Sequence, residues 1–361
     1  MPKIFVHALE GEPEDPINFT GKTERDIRVS WLVGNPPGTG PWTVKSRSPQ
    51  GIILKRQGTP PTSQHLEEVH LVFIPDGADL AERLQHDRTK ADYVDFAPTL
   101  TDPRTFPALR QRPDLSVVAT GGYNVFYLSF CLNRPPFDNP KVGPDLRRAI
   151  AYAIDVRKYV PLGGGAAAAA IGPIPPDMRG HDPTLPQPSN DLVKAKRLLD
   201  GSGYDPTQPL TLLCGNTNTY SAMLAQAVAN DLNTNLRLRV NLQPHQTWEK
   251  MLDAANAGPG HMFIYTWNQR HAYNDDPKQL LHALFHTQGK GNRNKYKNAV
   301  VDQELNSPSP NHRLVQQKVF DDVPMVCLSH WTRHAAYKAD VKNLRLTHAG
   351  LPDDKLLDVT I

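Results

Sequence analysis

In the middle of the chain, three short apolar runs alternate with two amphipathic segments. Apolar runs of this length are typical of buried strands, whereas the amphipathic segments repeat their apolar residues at helical spacing. In chain order the five segments are 210–215, 221–233, 236–243, 248–257 and 262–267. Thr247 directly precedes the segment 248–257 and is the predicted N-cap of that helix. Short connections between alternating strands and helices predict an open parallel sheet that is covered by helices on both faces.

A similar alternation precedes this region. Residues 70–75 and 92–97 are predicted strands, and residues 78–85 form a predicted amphipathic helix between them. The next apolar run, 123–132, is long enough for a strand that is buried on both faces. These segments add one β-α-β unit and one central strand to the fold.

Two further helices are predicted after the central strand. The segment 144-PDLRRAIAYAIDVRKYV-160 has Asp145 near its start, and its apolar residues fall on one face. Those residues are Leu146, Ala149, Ile150, Ala153 and Ile154. The segment 190–204 begins with polar residues and has Gly201 as its expected C-terminal stop. We expect the charged residues at the ends of 144–160 to form local ion pairs.

Ligands of open α/β sheets bind outside the carboxyl ends of the strands. In the central region those ends are 215–217, 244–245 and 267–270. The sequence therefore predicts a binding site near this edge of the sheet.

Composition narrows the class of protein. A chain of 361 residues is long enough for two domains, and its net charge of +3 comes without a basic run that would indicate nucleic acid or a lipid surface. No apolar run approaches the roughly 18 residues of a membrane span. Residues 1–20 are acidic and Pro-rich and lack the pattern of a signal peptide, so we expect either a cytoplasmic protein or a mature exported one. Cys131, Cys214 and Cys327 are expected to be buried. One disulfide among them is possible, but the sequence does not determine whether it forms.

The sequence contains fragments that resemble catalytic or cofactor motifs, but each of them is incomplete. His282 and His286 have the i, i+4 spacing of zinc ligands, but Ala283 occupies the place of the general-base Glu. The glycines of 38–41 and 163–165 lack the surroundings of a phosphate-binding loop. No Gly-x-Ser-x-Gly elbow is present. We therefore expect that the protein is not an enzyme and that it has neither a cofactor nor a metal site.

Eight segments form an ordered set that covers most of the chain. They are 3–16, 35–44, 52–57, 71–96, 124–160, 171–178, 190–204 and 322–346. The segment 35-NPPGTGPWTV-44 carries a Gly-Thr-Gly-Pro turn, and 124-NVFYLSFCLNRPPFDNPKVGPDLRRAIAYAIDVRKYV-160 joins an aromatic strand to the long helix. In this order the set resembles the family 5 solute-binding proteins of bacterial ABC transporters, which capture dipeptides, oligopeptides and nickel complexes.

The resemblance implies a two-lobed α/β fold of the periplasmic-binding-protein type, class II and cluster C. Each lobe is then an open mixed or parallel sheet flanked by helices. Residues 1–124 with 328–361 form a reduced, discontinuous first lobe, and residues 125–327 form the second. The helix in 144–160 belongs to the scaffold of the second lobe.

The function implied by the resemblance is an extracytoplasmic receptor. It captures a short peptide or a similar small polar solute between its lobes and delivers it to the membrane permease of an ABC importer. The receptor is expected to be a monomer in the periplasm, or anchored to the surface of a one-membrane bacterium. The alternatives are a receptor for a nickel complex, an opine or an oligosaccharide, and a hydrolase on the same fold.

The sequence departs from the family pattern in two places. The interval 17–35 stands where family members have a much longer segment, so part of the first lobe is expected to be missing. The resemblance also implies that, in the family's peptide binders, an Asp shortly after a Trp meets the ammonium group of the peptide. Here Arg270 follows Trp267 at that place, and an Arg would instead attract a carboxylate or phosphate.

Candidate ligand-binding residues follow from the strand ends and from the resemblance. They are Glu12, Tyr123, Asn124, Trp267, Asn268, Arg270, Asp275, Asp276 and Trp331. For Trp267 the alternative is a core tryptophan beneath the following loop.

Overall fold

A computed structural model gives the fold of the chain. It describes residues 3–8, 41–74, 77–185, 190–215, 220–258, 260–268, 276–346, 356 and 358–361. The chain divides into two compact units. Unit 1 comprises Met1–Leu100, Thr105–Thr120 and Arg333–Ile361, and unit 2 comprises Thr101–Arg104 and Gly121–Thr332. No helix among the described residues is both long and apolar enough to cross a membrane.

Unit 1 contains a mixed sheet. Its strands are β1 (Lys3–Ala8), β2 (Trp42–Ser48), β3 (Gly51–Arg56), β4 (Glu68–Phe73), β5 (Phe96–Ala97), the first part of β6 (Leu115–Phe130) and the last part of β11 (Met325–Lys338). In space β2 is followed by β3, β4, β1, β5 and β11. Strand β1 is parallel to both neighbours, whereas β2 and β3 form an antiparallel hairpin. Helices α1 (Gly77–Gln85) and α2 (Phe106–Arg110) belong to the same unit.

Unit 2 contains the sheet that was predicted from the middle of the chain. Its strands are the remainder of β6 and β11, β7 (Ala167–Ala169), β8 (Pro209–Cys214), β9 (Arg239–Pro244) and β10 (Met262–Asn268). The spatial order is β11, β6, β10, β8 and β9, with β7 paired to β11. Strands β8, β9 and β10 are parallel, which confirms the β-α-β-α-β prediction, and β6 is antiparallel to β10.

The helices of unit 2 follow from local sequence signals. They are α3 (Gly143–Ala153), α4 (Leu192–Ser202), α5 (Tyr220–Asn235), α6 (Trp248–Ala257), α7 (Pro277–Phe285), α8 (Ala299–Asn306) and α9 (His312–Asp322), with a 3₁₀ helix over Val156–Gly163. The Thr247 side chain accepts a hydrogen bond from the Lys250 amide, which confirms the predicted cap of α6. A cluster that includes Val125, Phe263 and Leu284 forms the apolar core against which these helices pack.

The segment that begins with α3 is a helix followed by a 3₁₀ turn. Helix α3 ends because Ile154 adopts an extended backbone, and the Asp155 side chain then caps the 3₁₀ helix. The expected local pairs are present: Arg148 donates to Asp145 at 3.1 Å, and Arg157 donates to Asp155 at 3.0 Å. The predicted stripe is confirmed as core, since Leu146, Ala149 and Ile150 of α3 are fully buried.

The predicted strand at 92–97 is wrong over most of its length. Only Phe96–Ala97 pairs with neighbouring strands. Upstream, the Val94 amide donates to the Arg83 carbonyl at the end of α1 instead of joining a ladder. Asp95 is buried and accepts a hydrogen bond from Arg88 at 2.7 Å. The chain is therefore held by the helix end and an ion pair until it reaches β5.

Strand β9 starts three residues later than predicted. Arg237 has a φ of 53°, in the left-handed region, which interrupts an extended strand. The amides of Leu236 and Leu238 donate back to the Leu232 carbonyl of α5. Leu236 and Leu238 are nevertheless buried, so their apolar character reflects packing beneath the helix end.

The stop of α4 is Gly203, not Gly201. Gly203 has a φ of 71° and forms the left-handed C-cap, whereas Gly201 lies within the last helical turn. We expect Gly203→Ala to lower the free energy of unfolding by about 1 kcal/mol, because an L side chain disfavours this backbone conformation. The matched control, Gly201→Ala, is expected to raise it by about 0.5 kcal/mol. Urea unfolding measures both, and a larger loss for Gly201→Ala would contradict the assignment.

Candidate functional site

The carboxyl ends of the unit 2 strands meet at one edge. The His245 amide, directly after β9, donates to the Cys214 carbonyl at the end of β8. Because β6 is antiparallel to β10, Asn124 of β6 lies opposite Asn268 at the carboxyl end of β10. Two predicted site residues, which are far apart in sequence, are therefore neighbours across this strand pair. The side chain of Asn268 lies outside the described residues.

Trp267 is the penultimate residue of β10 and lies opposite Val125. Its side chain is half-buried and packs against the apolar cluster of unit 2. Its indole Nε1 is buried, and no described residue hydrogen-bonds to it. Trp267 thus packs against the apolar core, and its indole N–H has no described hydrogen-bond partner.

Asn124 and His330 connect β6 and β11. His330 Nδ1 lies 3.3 Å from the Asn124 carbonyl oxygen, a distance that fits a hydrogen bond donated by the ring. The Asn124 Oδ1 is buried without a described partner. Burial lowers the pKa of His330 to about 4, an effect to which the neighbouring His181 adds. The imidazole is therefore neutral at pH 7.

Trp331 is buried in an aromatic cluster. Its ring centroid lies 4.7 Å from that of Tyr220 and 6.0 Å from that of Phe126. The Tyr220 hydroxyl donates to Ser329 Oγ at 3.0 Å, which holds the first residue of α5 against β11. Burial raises the pKa of Tyr220 to about 12, so the hydroxyl stays protonated. Trp331 is 7 % exposed, and the rings of Tyr220 and Phe126 are among its neighbours.

Phe126 and Tyr220 were missed by the sequence reading. The signal for Phe126 was present, since it alternates with Asn124 along the aromatic strand 123–132. The signal for Tyr220 was its position directly before the predicted helix start at Ser221. Both residues lie beside the predicted site residue Trp331.

The remaining candidate residues are divided between described and undescribed parts of the chain. Asp276 caps α7, and its side chain accepts a hydrogen bond from the Lys278 amide at 2.9 Å. Glu12, Arg270 and Asp275 lie outside the described residues. The backbone of Tyr123 lies in β6, but its side chain is also outside the described part.

The histidine pair of α7 has local partners. The rings of His282 and His286 stack with centroids 4.2 Å apart, and His286 Nδ1 accepts a hydrogen bond from the Gln288 amide. His286 Nε2 lies 3.8 Å from an Asp302 carboxylate oxygen. Burial lowers the pKa of His282, and the adjacent His286 adds to this effect. Among the described residues, no group of three or more His, Cys, Asp or Glu side chains is placed to hold a metal ion.

A cavity of about 760 Å³ lies at the other end of β6. Its lining includes Leu132, Phe137, Arg147, Lys295 and Asp322. Phe130, the last residue of β6, is six residues along the strand from Asn124, which corresponds to roughly 20 Å, and Leu132 lies beyond it. This cavity does not include any of the predicted site residues.

The fold matches solved periplasmic binding proteins. The similarity has a TM-score of 0.74 to the periplasmic binding protein DppA from Helicobacter pylori in complex with the peptide STSA, at 22% identity, and covers 93% of this chain and 67% of that one. It has a TM-score of 0.70 to NikA from Staphylococcus aureus in complex with Ni(L-His)2, at 18% identity, and covers 90% and 69%. The chain therefore has the α/β fold of the periplasmic binding proteins, as expected.

The family follows from the sequence comparison. The model of the bacterial extracellular solute-binding proteins, family 5 Middle, matches residues 2–292, and the chain belongs to this family. Members of the family are extracytoplasmic solute-binding proteins.

Two curated relatives show how similar in sequence this chain is to other proteins. Di/tripeptide-binding protein 2 of Pseudomonas aeruginosa is 28% identical over 254 residues, which is 69% of this chain and 45% of that protein. The probable D,D-dipeptide-binding periplasmic protein DdpA of Escherichia coli is 27% identical over 355 residues, which is 94% and 66%. The chain thus spans less than two thirds of the length of these relatives.

Proposed function

We propose that the protein is a solute-binding receptor of an ABC importer, which captures a short peptide or a similar small polar solute. The observation that carries the proposal is the family match over residues 2–292. The named relatives and the DppA structure, which are described as binding di- or tripeptides, a D,D-dipeptide and the peptide STSA, support a peptide as the ligand. The receptor acts outside the cytoplasm as a monomer and delivers its ligand to a membrane permease.

The proposed ligand site is the edge formed by the carboxyl end of β10 and the adjoining part of β6. Trp267 Nε1 offers a donor and Asn124 Oδ1 offers an acceptor, and neither has a described partner. A peptide supplies both kinds of complementary group, since each amide carries one N–H and one C=O. Trp331 contributes through the rings of Phe126 and Tyr220, which fix its position.

Catalysis is not part of the proposed function. Burial raises the pKa of the Cys131 thiol to about 11 and that of the Cys327 thiol to about 12, so neither is a thiolate at pH 7. A ligand shifts a receptor between two conformations if it binds one of them more tightly than the other. This function does not require a nucleophile.

A thermal-shift screen beside a turnover assay tests the proposal. Both use the same panel of di- and tripeptides, nickel with histidine, and oligosaccharides. We expect a saturable rise of the melting temperature with at least one peptide and no loss of peptide over time. Consumption of a peptide without a saturable shift would refute the receptor function, and a shift only with nickel and histidine would replace the peptide by a metal complex.

Trp267 is expected to contribute directly to affinity. Trp267→Phe removes the indole N–H and part of the ring, so we expect the dissociation constant for a bound dipeptide to rise about tenfold. Isothermal titration measures the change. Trp42→Phe is the matched control, because Trp42 lies on β2 of unit 1 beside Arg56. Equal affinities of wild type and Trp267→Phe would assign Trp267 to the core alone.

A further inference from the structure

The turn after α7 packs tightly against the end of that helix. The Gly289 amide donates to the His286 carbonyl at 2.8 Å, and the Gly291 amide donates to the Ala283 carbonyl at 2.9 Å. The buried Asn292 side chain donates to the carbonyls of His286 and Tyr296 at 3.0 and 2.8 Å. These bonds fix the position of the turn relative to α7.

Gly291 of this turn touches the indole of Trp267. A Cβ atom at Gly291 would lie 2.6 Å from Cζ3 and 2.9 Å from Cε3 of Trp267, and 3.2 Å from the Ala283 carbonyl oxygen. Real Cβ atoms do not approach other atoms this closely, so a side chain at position 291 requires the ring to move. Gly291 does not adopt the left-handed conformation. A side chain at position 291 is therefore disfavoured by steric overlap with Trp267, not by the backbone conformation.

We propose that Gly291 determines ligand specificity by positioning the indole of Trp267. This inference rests on the proposed role of Trp267 in the ligand site. With no side chain at Gly291 the benzo ring of Trp267 packs against the turn, and in this proposal the ligand lies on the other side of the ring. Gly291 is a positioning residue, since it acts through Trp267.

The expected consequence is a change in selectivity. In Gly291→Ala the ring moves away from the turn and toward the ligand, so the site becomes shallower. A pocket that loses space equal to one methylene discriminates by about tenfold or more. We expect the dissociation constant of Met-Leu to rise about tenfold and that of Gly-Gly to change little.

The chain offers a matched control in the same turn. A Cβ at Gly289 would clash with the carbonyl oxygens of His282 and Ala283, and the three atoms nearest to it all belong to the backbone. Gly289→Ala is therefore expected to strain the same turn mainly through backbone atoms. A purely structural role of Gly291 predicts the same behaviour for both variants.

Rescue by a second substitution separates positioning from loss of structure. Trp267→Phe removes Cε3 and Cζ3, the two atoms that a side chain at Gly291 would meet. We expect Gly291→Ala to lower the melting temperature less in the Trp267→Phe background than in wild type. Gly289→Ala is expected to lower it equally in both backgrounds. Equal losses for Gly291→Ala in both backgrounds would overturn the proposal.

A ligand-free measurement reports the ring position directly. The chain has five tryptophans, so 5-fluorotryptophan labelling gives a small set of fluorine resonances, and the Trp267 resonance is the one missing from Trp267→Phe. We expect Gly291→Ala to shift this resonance more than Gly289→Ala does. An unshifted resonance would overturn the positioning role, whatever the ligand. A shifted resonance together with unchanged affinity of Trp267→Phe for Met-Leu and Gly-Gly would instead refute the ligand site of the proposed function and, with it, the specificity role.

Discussion

Arg147→Met is expected to lower the free energy of unfolding by about 4 kcal/mol, because it leaves three partly buried carbonyl groups without their donor. The guanidinium of Arg147, on α3, donates to the carbonyl oxygens of Val323 at 3.0 Å, Asp322 at 2.9 Å and Phe137 at 3.2 Å. Burial lowers the pKa of Arg147 to about 10, with the Asp322 carboxylate opposing that effect, and the side chain stays charged at pH 7.

The position of Arg147 at a helix end adds to the expected loss. Asp322 is the last residue of α9, and Val323, its C-cap, has a φ of 48°. A cation at a helix C-terminus stabilises the unpaired carbonyl groups there. Val323 is not glycine, so its left-handed backbone depends on such surrounding bonds. The Asp322 side chain is held as well, since it accepts hydrogen bonds from Tyr296 at 2.6 Å and Asn298 at 2.7 Å.

Arg157→Met is the control, because it makes the same change in side-chain charge and length at an exposed position. The Arg157 side chain is 77% exposed and pairs with Asp155 at 3.0 Å, so solvent screens the pair, and we expect its loss to change stability much less than the loss of Arg147. Urea unfolding of both variants gives the comparison. Similar losses in the two variants would mean that the carbonyl contacts of Arg147 do not stabilise unit 2.

The repeating elements of unit 2 were predictable because local signals and burial agree there. Strand β10 was predicted at 262–267 and ends at Asn268, and Thr247 caps α6 as expected. Where tertiary contacts override the local pattern, prediction failed. The apolar residues before β9 pack beneath α5, and the Val94 amide bonds to a helix end. A sequence pattern shows that a residue is apolar, but it does not show which backbone partner is within reach.

The edge of the sheet at which we propose the ligand site was predictable from the sequence, but only some of the contacts at that edge were. The strand ends indicated the edge where Trp267 and Asn124 lie, because parallel strands bring their carboxyl ends together. The contact between Gly291 and Trp267 depends on a turn that is 24 residues further along the chain. No periodicity encodes such a contact. The same holds for Tyr220, which reaches Trp331 only through the packing of α5 on the sheet.

The stability of the protein is expected to fall below pH 6.5 because of His330. This residue is 4% exposed on β11, one of the two long strands that the units share. Burial is the main cause that lowers its pKa to about 4 from the ordinary 6.5. Between these two pH values the unfolded chain binds a proton that the folded chain does not bind, so stability rises with pH in this window.

The size and range of the His330 effect follow from the two pKa values. The contribution is fully present above pH 6.5, is lost progressively as the pH falls, and is completely lost below about pH 4. The shift corresponds to about 3 kcal/mol. Acid unfolding of this protein should therefore begin while most carboxylates are still ionised.

Two variants that do not titrate isolate this contribution. We expect His330→Asn and His330→Leu to lose about 3 kcal/mol less than wild type between about pH 7.5 and pH 4, as measured by urea unfolding. Asn keeps a donor for the Asn124 carbonyl and Leu does not, so the two variants will differ in stability at pH 7.5. The difference between the two pH values should nevertheless agree in both variants, because neither side chain takes up a proton. A wild-type protein that loses as much stability as the variants over this range would show that His330 is not the titrating group.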